Sequence, residues 1–297
     1  MKQRIQIDPG AGPCFGVQRA IQMAEDILEE HKGLKCLGDL IHNNEEINRL
    51  NNKGLCTISH CQIVEQSGKK ILIRAHGEPP STFRIANHYD VEIIDATCPI
   101  VKKLQEQVAV SDQKMREQKG QIILFGDIYH PEVIALKAYT KGEFHIVRNA
   151  ADLEKLSSKK STIIFSQTTK LQSDYSKVII AFQKKRRVEK AEFFPLEIVS
   201  SLCKQVAKRD KQLLKFLEDK DMLIFVSGQN SSNGKYLFES AKKSVRSAHF
   251  ISNPEELNTK WFRKRKNIGI SGAASTPFWL LENVQSRIEE ILSENGA

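Results

Sequence analysis

The sequence lacks any apolar run long enough to cross a bilayer. Its apolar runs are short, such as MLIFV at 222–226, whereas a membrane-spanning helix needs about 20 apolar residues. The opening residues, MKQRIQIDPG, are polar and charged and do not resemble the apolar centre of a secretion signal. We therefore expect a soluble, cytoplasmic protein without a membrane partner.

Two familiar ligand-binding motifs are also missing. The chain contains neither the C-x₂-C spacing of zinc ribbons nor a Walker A phosphate loop. It does contain six cysteines, which in an unexported protein are better explained as thiols or metal ligands than as disulfide partners. Any phosphate or metal site must therefore be assembled from residues far apart in the sequence.

Positive charge is in excess. The net charge of +9 and the isoelectric point near 9.2 favour an acidic partner or an anionic ligand. One hypothesis is a nucleic-acid-binding protein, supported by the basic runs KKRR at 184–187 and WFRKRK at 261–266. Such runs are more often solvated surface, and both lie outside the loops described below, so we expect no nucleic-acid partner.

Short β-rich runs alternate with amphipathic helical stretches along the chain. The runs include KILIRA, VEIIDA, QIILFG, STIIFS and NIGISG, and the helical stretches include VQRAIQMAEDILEEH. This alternation predicts an α/β protein with parallel sheets, and the length of 297 residues predicts two or three domains. In such proteins, ligands bind at the carboxyl ends of the strands.

Three kinds of loop each occur three times in the chain. One kind carries a cysteine, at Cys14, Cys98 and Cys203. A second kind passes through glycine and polar residues, as in GDLIHNN, GDIYHPE and GQNSSNG. A third kind follows a strand with His-Gly or small hydroxyl residues, as in RAHGEPP, SQTTK and GAASTP. This threefold repeat of the loops predicts three related α/β domains, at residues 1–97, 98–200 and 201–297, with the loops facing a common centre.

The cysteine loops predict a metal centre. An iron–sulfur cube normally takes four cysteines, so three thiolates would leave one iron open for substrate. We expect the other cysteines, Cys36, Cys56 and Cys61, to be small buried apolar residues.

The other two kinds of loop predict a phosphate site. They supply imidazole, hydroxyl and amide groups that suit a phosphate, namely His42, His76, His130, Thr168, Thr169, Ser231, Ser232, Asn233 and Ser275. Glu132 is the acidic member of the set and is a candidate proton carrier. An alternative is that Glu132 only supports the start of its helix behind Pro131.

Eight ordered motifs resemble the 4-hydroxy-3-methylbut-2-enyl diphosphate reductase family, also called IspH or LytB. They are GPCFGVQRAI, LGDLIHNNEEI, RAHGEPPSTF, DATCPIV, YHPEVI, SQTTK, SGQNSSNGKYL and GAASTP. The resemblance implies a trefoil of three α/β domains around one 4Fe-4S cluster with three cysteine ligands. It implies reductive removal of the substrate's allylic hydroxyl as the last step of the methylerythritol phosphate route to isoprenoids, with isopentenyl and dimethylallyl diphosphates as products.

The resemblance also implies roles for individual residues. Cys14, Cys98 and Cys203 match the cluster ligands, Glu132 the proton donor, and Thr168 the hydroxyl at the reacting end of the substrate. The diphosphate positions match His42, His76, His130, Ser231, Ser232, Asn233 and Ser275. The stretch Ser200–Val206 around the third cysteine departs from the family's usual D-T-I-C-x-A-T.

The basic surface suits reduced ferredoxin or flavodoxin as electron donor. A cluster protein that only senses redox state or oxygen is a further alternative, but it gives the phosphate-binding loops no role.

Overall fold

The computed structural model describes residues 4–263 and 265–294 and confirms the α/β class. The strands, numbered along the chain, are β1 (Arg4–Ile7), β2 (Leu34–Leu37), β3 (Leu55–Ile58), β4 (Lys70–Ile73), β5 (Glu92–Asp95), β6 (Gln121–Phe125), β7 (Glu143–Val147), β8 (Thr162–Ser166), β9 (Leu196–Ile198), β10 (Met222–Val226), β11 (Ser247–Ile251) and β12 (Asn267–Gly272).

Helices separate most of these strands. They are α1 (Phe15–Glu30), α2 (Asn44–Asn52), α3 (Pro80–His88), α4 (Pro99–Glu117), α5 (Pro131–Ala138), α6 (Gln172–Val188), α7 (Lys204–Phe216), α8 (Ser232–Ala241) and α9 (Phe278–Glu294). Within the described ranges, none of these helices is long and apolar enough to cross a membrane.

The strands form three four-stranded parallel sheets with one common order. The orders are β3-β2-β4-β5, β7-β6-β8-β9 and β11-β10-β12-β1. In each sheet the second strand leads to a glycine-polar loop and the third to a hydroxyl or histidine loop. The strand at one edge leads to a cysteine. The repeat predicted from the loops is therefore a repeat of whole sheets.

The third sheet takes its edge strand from the start of the chain. Ile7 of β1 is paired with Ile270 of β12, so Cys14 follows a strand of the sheet that is otherwise built from residues after 221.

The domain boundaries predicted at 97/98 and 200/201 stay a prediction. The chain forms a first compact unit, Met1–Leu34, Asp39–Cys56 and Lys204–Ala297, and a second, Lys35–Gly38 and Thr57–Cys203.

In the first unit, β10 is buried on both faces, which explains its uninterrupted apolar sequence MLIFV. On one face α9 supplies Leu280, Val284 and Ile288, spaced every four residues along one side of the helix. On the other face α7 and α8 supply Leu213 and Leu237.

In the second unit, β6 and β8 separate two cores. Their side chains alternate, because successive residues of a strand face opposite sides of the sheet. Leu124 and Phe165 pack with α4 and α5, while Ile164 packs with α6. The α6 residue Tyr175 donates its hydroxyl to the carbonyl oxygens of Ile164 and Val199, at 2.8 and 2.9 Å.

The three cysteines without a predicted metal role differ in burial. Cys36 lies in the interior strand β2 and is fully buried, as expected. Cys56 and Cys61 are exposed, so the prediction of burial was wrong for both. Cys56 lies on the edge strand β3, where a side chain can face solvent, and Cys61 lies in a surface 3₁₀ turn, with its sulfur 3.0 Å from the Ser59 hydroxyl.

Gly12 lies in the loop between β1 and Cys14 and packs against the ring of Phe278. Its φ of +115° is strained for residues other than glycine, and a Cβ atom there would lie 2.5 Å from the ring. The loop can therefore pass close to the start of α9 only because residue 12 has no side chain.

We expect Gly12→Ala to lower the free energy of unfolding by about 2–4 kcal/mol, since backbone strain and a steric clash add together. Gly68→Ala is the matched control, because Gly68 also has a positive φ of +70° but has no atom within 4 Å of an added Cβ. Urea denaturation of both apoproteins measures the difference. Equal losses would show that the contact with Phe278 is unimportant.

Candidate functional site

Each cysteine of the predicted cluster lies directly before a helix. Cys14 precedes α1, Cys98 precedes α4 and Cys203 precedes α7. Cys14 and Cys98 are partly exposed and Cys203 is buried. The partial positive charge at a helix N-terminus stabilises a thiolate, and thiolates are the donors that iron–sulfur clusters require. The donor set therefore fits such a cluster.

The backbone N–H of each of these cysteines donates to a carbonyl in a loop of the third kind. Cys14 donates to Ala274 at 2.9 Å, Cys98 to Ala75 at 3.0 Å and Cys203 to Thr168 at 2.9 Å. Ala75 precedes His76 and Ala274 precedes Ser275, while Thr168 is itself a predicted site residue. These hydrogen bonds anchor every cysteine loop to a loop that carries a predicted substrate-binding group.

In the first unit, three predicted loops meet around His42. The Ser275 hydroxyl donates to the carbonyl of His42 at 3.3 Å. Gly228 packs so closely on the same carbonyl that a Cβ atom there would lie 2.5 Å from its oxygen. Gly228 begins the loop that carries Ser231, Ser232 and Asn233, so the structure brings this loop, His42 and Ser275 together.

The start of α8 presents an amide donor. Ser231 caps the helix, its hydroxyl oxygen accepting the N–H of Gly234 at 3.1 Å. Ser232 is exposed. The side-chain nitrogen of Asn233 is buried and has no hydrogen-bond acceptor within the described parts of the chain. A buried amide left in this state is destabilising, so Asn233 is suited to a ligand with acceptor oxygens.

The His42 loop is held by a buried carboxylate that was not among the residues predicted from the sequence. Glu46 on α2 accepts the indole N–H of Trp279 at 2.6 Å and the Nε–H of Arg49 at 2.9 Å. Both contacts support the helix that begins just after His42. The pairing of Glu46 with Trp279 spans 233 residues, and no local pattern in the sequence marks it.

A second buried network holds the Cys14 loop. The guanidinium of Arg209 donates to the Asp8 carboxylate at 2.6 Å and to the Ser271 hydroxyl at 2.7 Å. The other Asp8 oxygen accepts the N–H of Gly10 at 2.9 Å. Because Asp8 follows β1, Ser271 lies in β12 and Arg209 lies on α7, the network joins three elements of the first unit.

In the second unit, Glu132 is buried beside Thr168. The Glu132 carboxyl accepts the backbone N–H of Thr168 at 2.8 Å and its hydroxyl at 2.7 Å. The side chain is 1% exposed. The carbonyl of Thr168 accepts the N–H of Cys203, as described above, so Thr168 connects the carboxyl to a predicted cluster ligand.

Burial raises the pKa of Glu132 to about 7, although the two hydrogen bonds from Thr168 act in the opposite direction. Removal of the carboxylate from water disfavours its charged form more than Thr168 stabilises it. Glu132 is therefore partly protonated at neutral pH, which is the state a proton donor needs.

His130 caps the start of α5, whereas the alternative considered from the sequence was that Glu132 only supports this helix start. Its Nδ1 accepts the N–H of Glu132 at 3.2 Å at the start of α5, whereas the Glu132 carboxyl bonds a different loop. The ring of His130 lies edge-on to that of His76, with centroids 5.3 Å apart. His76, His130 and Glu132 thus come from two loops of the second unit that the sequence assigned to substrate binding.

The basic runs are partly structural. In the first run, Arg186 is buried and donates to the carbonyls of Ala191 and Glu192, which ends α6. Lys185 is paired with Glu189 at 3.2 Å. In the second run, the ring of Trp261 stacks on His249 at 3.8 Å, and residue 264 lies outside the described residues.

The chain matches known proteins over nearly its whole length. The family model described as LytB protein matches residues 5–289. A 4-hydroxy-3-methylbut-2-enyl diphosphate reductase from Bacteroides thetaiotaomicron is 39% identical over 98% of this chain and 99% of the relative. A reductase of the same name from Chloroherpeton thalassium is 34% identical over 96% of both chains.

Two solved structures are similar in fold. The E-1-hydroxy-2-methyl-but-2-enyl-4-diphosphate reductase from Plasmodium falciparum superposes with a TM-score of 0.83 at 26% identity, over 98% of this chain and 88% of that one. An (E)-4-hydroxy-3-methyl-but-2-enyl diphosphate reductase, described as the terminal enzyme of the non-mevalonate pathway, gives a TM-score of 0.70 at 32% identity, over 97% and 99% of the two chains. With the repeated sheets and the anchored cysteine loops, these matches show that the chain belongs to the LytB family of 4-hydroxy-3-methylbut-2-enyl diphosphate reductases.

Proposed function

We propose that this chain reduces 4-hydroxy-3-methylbut-2-enyl diphosphate to isopentenyl and dimethylallyl diphosphates. Two electrons and two protons replace the allylic C–O bond by a C–H bond and release the oxygen as water. The observation that carries the proposal is the buried Glu132 carboxyl, which is bonded to Thr168, while Thr168 holds the backbone of Cys203. Family membership supports the same reaction.

For the cofactor, we propose one 4Fe-4S cluster per chain, with Cys14, Cys98 and Cys203 as ligands and one iron without a protein thiolate. When bound, such a cluster supplies electrons one at a time and a Lewis-acidic iron. The protein contributes three thiols at helix N-termini, each anchored through its own backbone N–H. This anchoring would fix the backbone of each ligand beside a loop of the third kind.

For the substrate, we propose that the diphosphate binds His42, His76, His130, Ser231, Ser232, Asn233 and Ser275. Imidazole, hydroxyl and amide groups donate to phosphate oxygens, and a donor that carries a positive charge forms the stronger hydrogen bond. The buried Asn233 amide lacks an acceptor in the described part of the protein, which supports its inclusion. Binding energy from the diphosphate positions the distant hydroxyl for reaction.

For the proton, we propose that Glu132 delivers it to the departing hydroxyl and that Thr168 contacts the hydroxymethyl end of the substrate. The raised pKa, near 7, keeps a proton available on Glu132 at neutral pH. The Thr168 hydroxyl and backbone N–H both point to the carboxyl, and they fix its orientation.

For the electron donor, we propose reduced ferredoxin or flavodoxin in the cytoplasm. Thiol ligands of this kind suit a reducing compartment, and the net charge of +9 suits an acidic carrier.

The direct test is anaerobic reconstitution with iron and sulfide, followed by an assay with 4-hydroxy-3-methylbut-2-enyl diphosphate and a chemical reductant. The proposal requires that the reconstituted protein form both isopentenyl and dimethylallyl diphosphates. A protein that binds a cluster but leaves the substrate unchanged would contradict the proposal and favour the alternative of a redox sensor.

We expect Cys14→Ser, Cys98→Ser and Cys203→Ser each to abolish turnover and the brown cluster absorbance, because each change removes a thiolate ligand. Iron analysis and visible spectra measure the loss. Cys56→Ser and Cys61→Ser are the matched controls, since both cysteines are exposed, and they should keep full absorbance. A full cluster in Cys203→Ser would rule out the ligand assignment in the divergent stretch 200–206.

We expect His76→Ala to weaken substrate binding about ten- to a hundredfold while leaving the cluster intact, because one charge-assisted hydrogen bond is worth roughly 1.5–3 kcal/mol. Calorimetric titration with inorganic diphosphate measures the effect. His88→Ala, which changes an exposed histidine at the end of α3, should bind normally. Unchanged affinity in His76→Ala would show that His76 is structural.

We expect Glu132→Gln to lower single-turnover rates by about 10²–10⁴-fold, since glutamine keeps the shape of the side chain but cannot donate the carboxyl proton. The cluster should assemble and the substrate should bind as in wild type. Glu106→Gln, an exposed change on α4, controls for loss of a surface charge. Near-normal hydroxyl removal by Glu132→Gln would contradict the proton-donor role.

A further inference from the structure

Helix α7 carries four exposed lysines that begin immediately after Cys203. They are Lys204, Lys208, Lys211 and Lys215. Their spacing of four, three and four residues places them in one stripe along the helix. The opposite side of α7 carries the buried Arg209 and Leu213, so the stripe faces away from the core of the first unit.

Among the described residues, no acidic side chain is paired with the lysine stripe. None of its four lysines forms an ion pair with a described residue, whereas exposed lysines in or directly after other helices do, as in Lys177 of α6 with Asp174 and Lys242 after α8 with Glu239. The acidic residue of α7, Asp210, instead accepts the hydroxyl of Ser240 at 2.6 Å. Like charges at this spacing destabilise a helix, and an acidic partner would relieve their repulsion.

The helix that carries the lysine stripe contacts the Cys14 loop. Gln205, the second residue of α7, accepts the backbone N–H of Phe15 at 3.4 Å. Phe15 follows Cys14 directly and is 58% exposed. An exposed aromatic ring therefore lies where the first turns of α1 and α7 meet, directly after the proposed cluster ligand Cys14. Exposed aromatic residues of this kind commonly anchor protein interfaces.

We propose that the lysine stripe and Phe15 form the docking surface for the electron-donor protein, and that this donor presents acidic side chains. The proposal rests on the proposed function, since that reaction consumes two electrons. Two reduced carriers each give one electron and leave oxidised. With two protons, these electrons turn the allylic C–O bond into a C–H bond and water. Complementary charge brings the carrier to the surface next to Cys14 and speeds its association.

The test compares two reductants on the reconstituted holoenzyme. One is an acidic ferredoxin kept reduced, and the other is reduced methyl viologen, a small cation that needs no docking surface. The variant is Lys208→Glu/Lys211→Glu. Its matched control is Lys155→Glu/Lys184→Glu, which makes the same change of charge at two exposed lysines outside α7 that form no ion pair among the described residues.

We expect the α7 variant to lose at least tenfold in kcat/KM for ferredoxin at low salt, while its viologen-driven rate and cluster absorbance stay at wild-type values. The control should keep both activities. Added salt should lower the ferredoxin-driven rate of wild type toward that of the variant, because salt screens exposed charges.

If the wild-type enzyme is active with viologen, two results would overturn the docking surface and leave the proposed function intact. One is an equal ferredoxin-driven rate in the α7 variant and wild type. The other is an equal loss of ferredoxin-driven rate in the α7 variant and the control. Binding of transfer RNA that disappears in the α7 variant, with ferredoxin kinetics unchanged, would assign the stripe to nucleic acid instead. A wild-type holoenzyme without viologen-driven turnover would overturn the proposed function and this proposal with it.

Discussion

The hydrogen bond from each cysteine N–H to a neighbouring loop is the constraint on which the rest of the site depends. Cys14, Cys98 and Cys203 donate to Ala274, Ala75 and Thr168, at 2.9–3.0 Å. Each acceptor lies in the loop after the third strand of a sheet, and each cysteine follows that sheet's edge strand. The same backbone hydrogen bond therefore occurs three times, and each one keeps a cysteine beside a loop that carries proposed substrate-binding groups.

Side chains of the surrounding loops reinforce this arrangement in different ways. In the first unit, the buried Arg209 ties Asp8 to Ser271, and Glu46 ties the His42 helix to Trp279. In the second unit, Thr168 bonds Glu132 with its side chain and N–H and bonds Cys203 with its carbonyl. Removing the charged partner from such a buried network costs far more than removing a surface contact. The polar groups of the site are therefore positioned before a ligand binds.

Local sequence patterns predicted the repeated features of this molecule but not its long-range pairings. Alternating strands and helices predicted the α/β class, and the three kinds of loop predicted which residues would follow the strands. The short strand β1 carries no signal for its partner β12, because a four-residue polar-apolar run fits any sheet edge. The exposure of Cys56 depends on β3 being an edge strand, which local sequence does not encode. The raised pKa of Glu132 likewise depends on burial created by residues distant in the chain.

The proposed chemistry depends above all on the protonation of Glu132, since a proton donor must still hold its proton near neutral pH. Carbon-13 NMR of apoprotein labelled at the glutamate carboxyl carbons follows each carboxyl through a pH titration, and Glu132→Gln assigns the signal. Because burial raises the pKa of Glu132, we expect one carboxyl that titrates near pH 7, well above the usual value of 4.5, and that is missing in the variant. A Glu132 signal that titrates near 4.5 or below would rule out Glu132 as the proton donor.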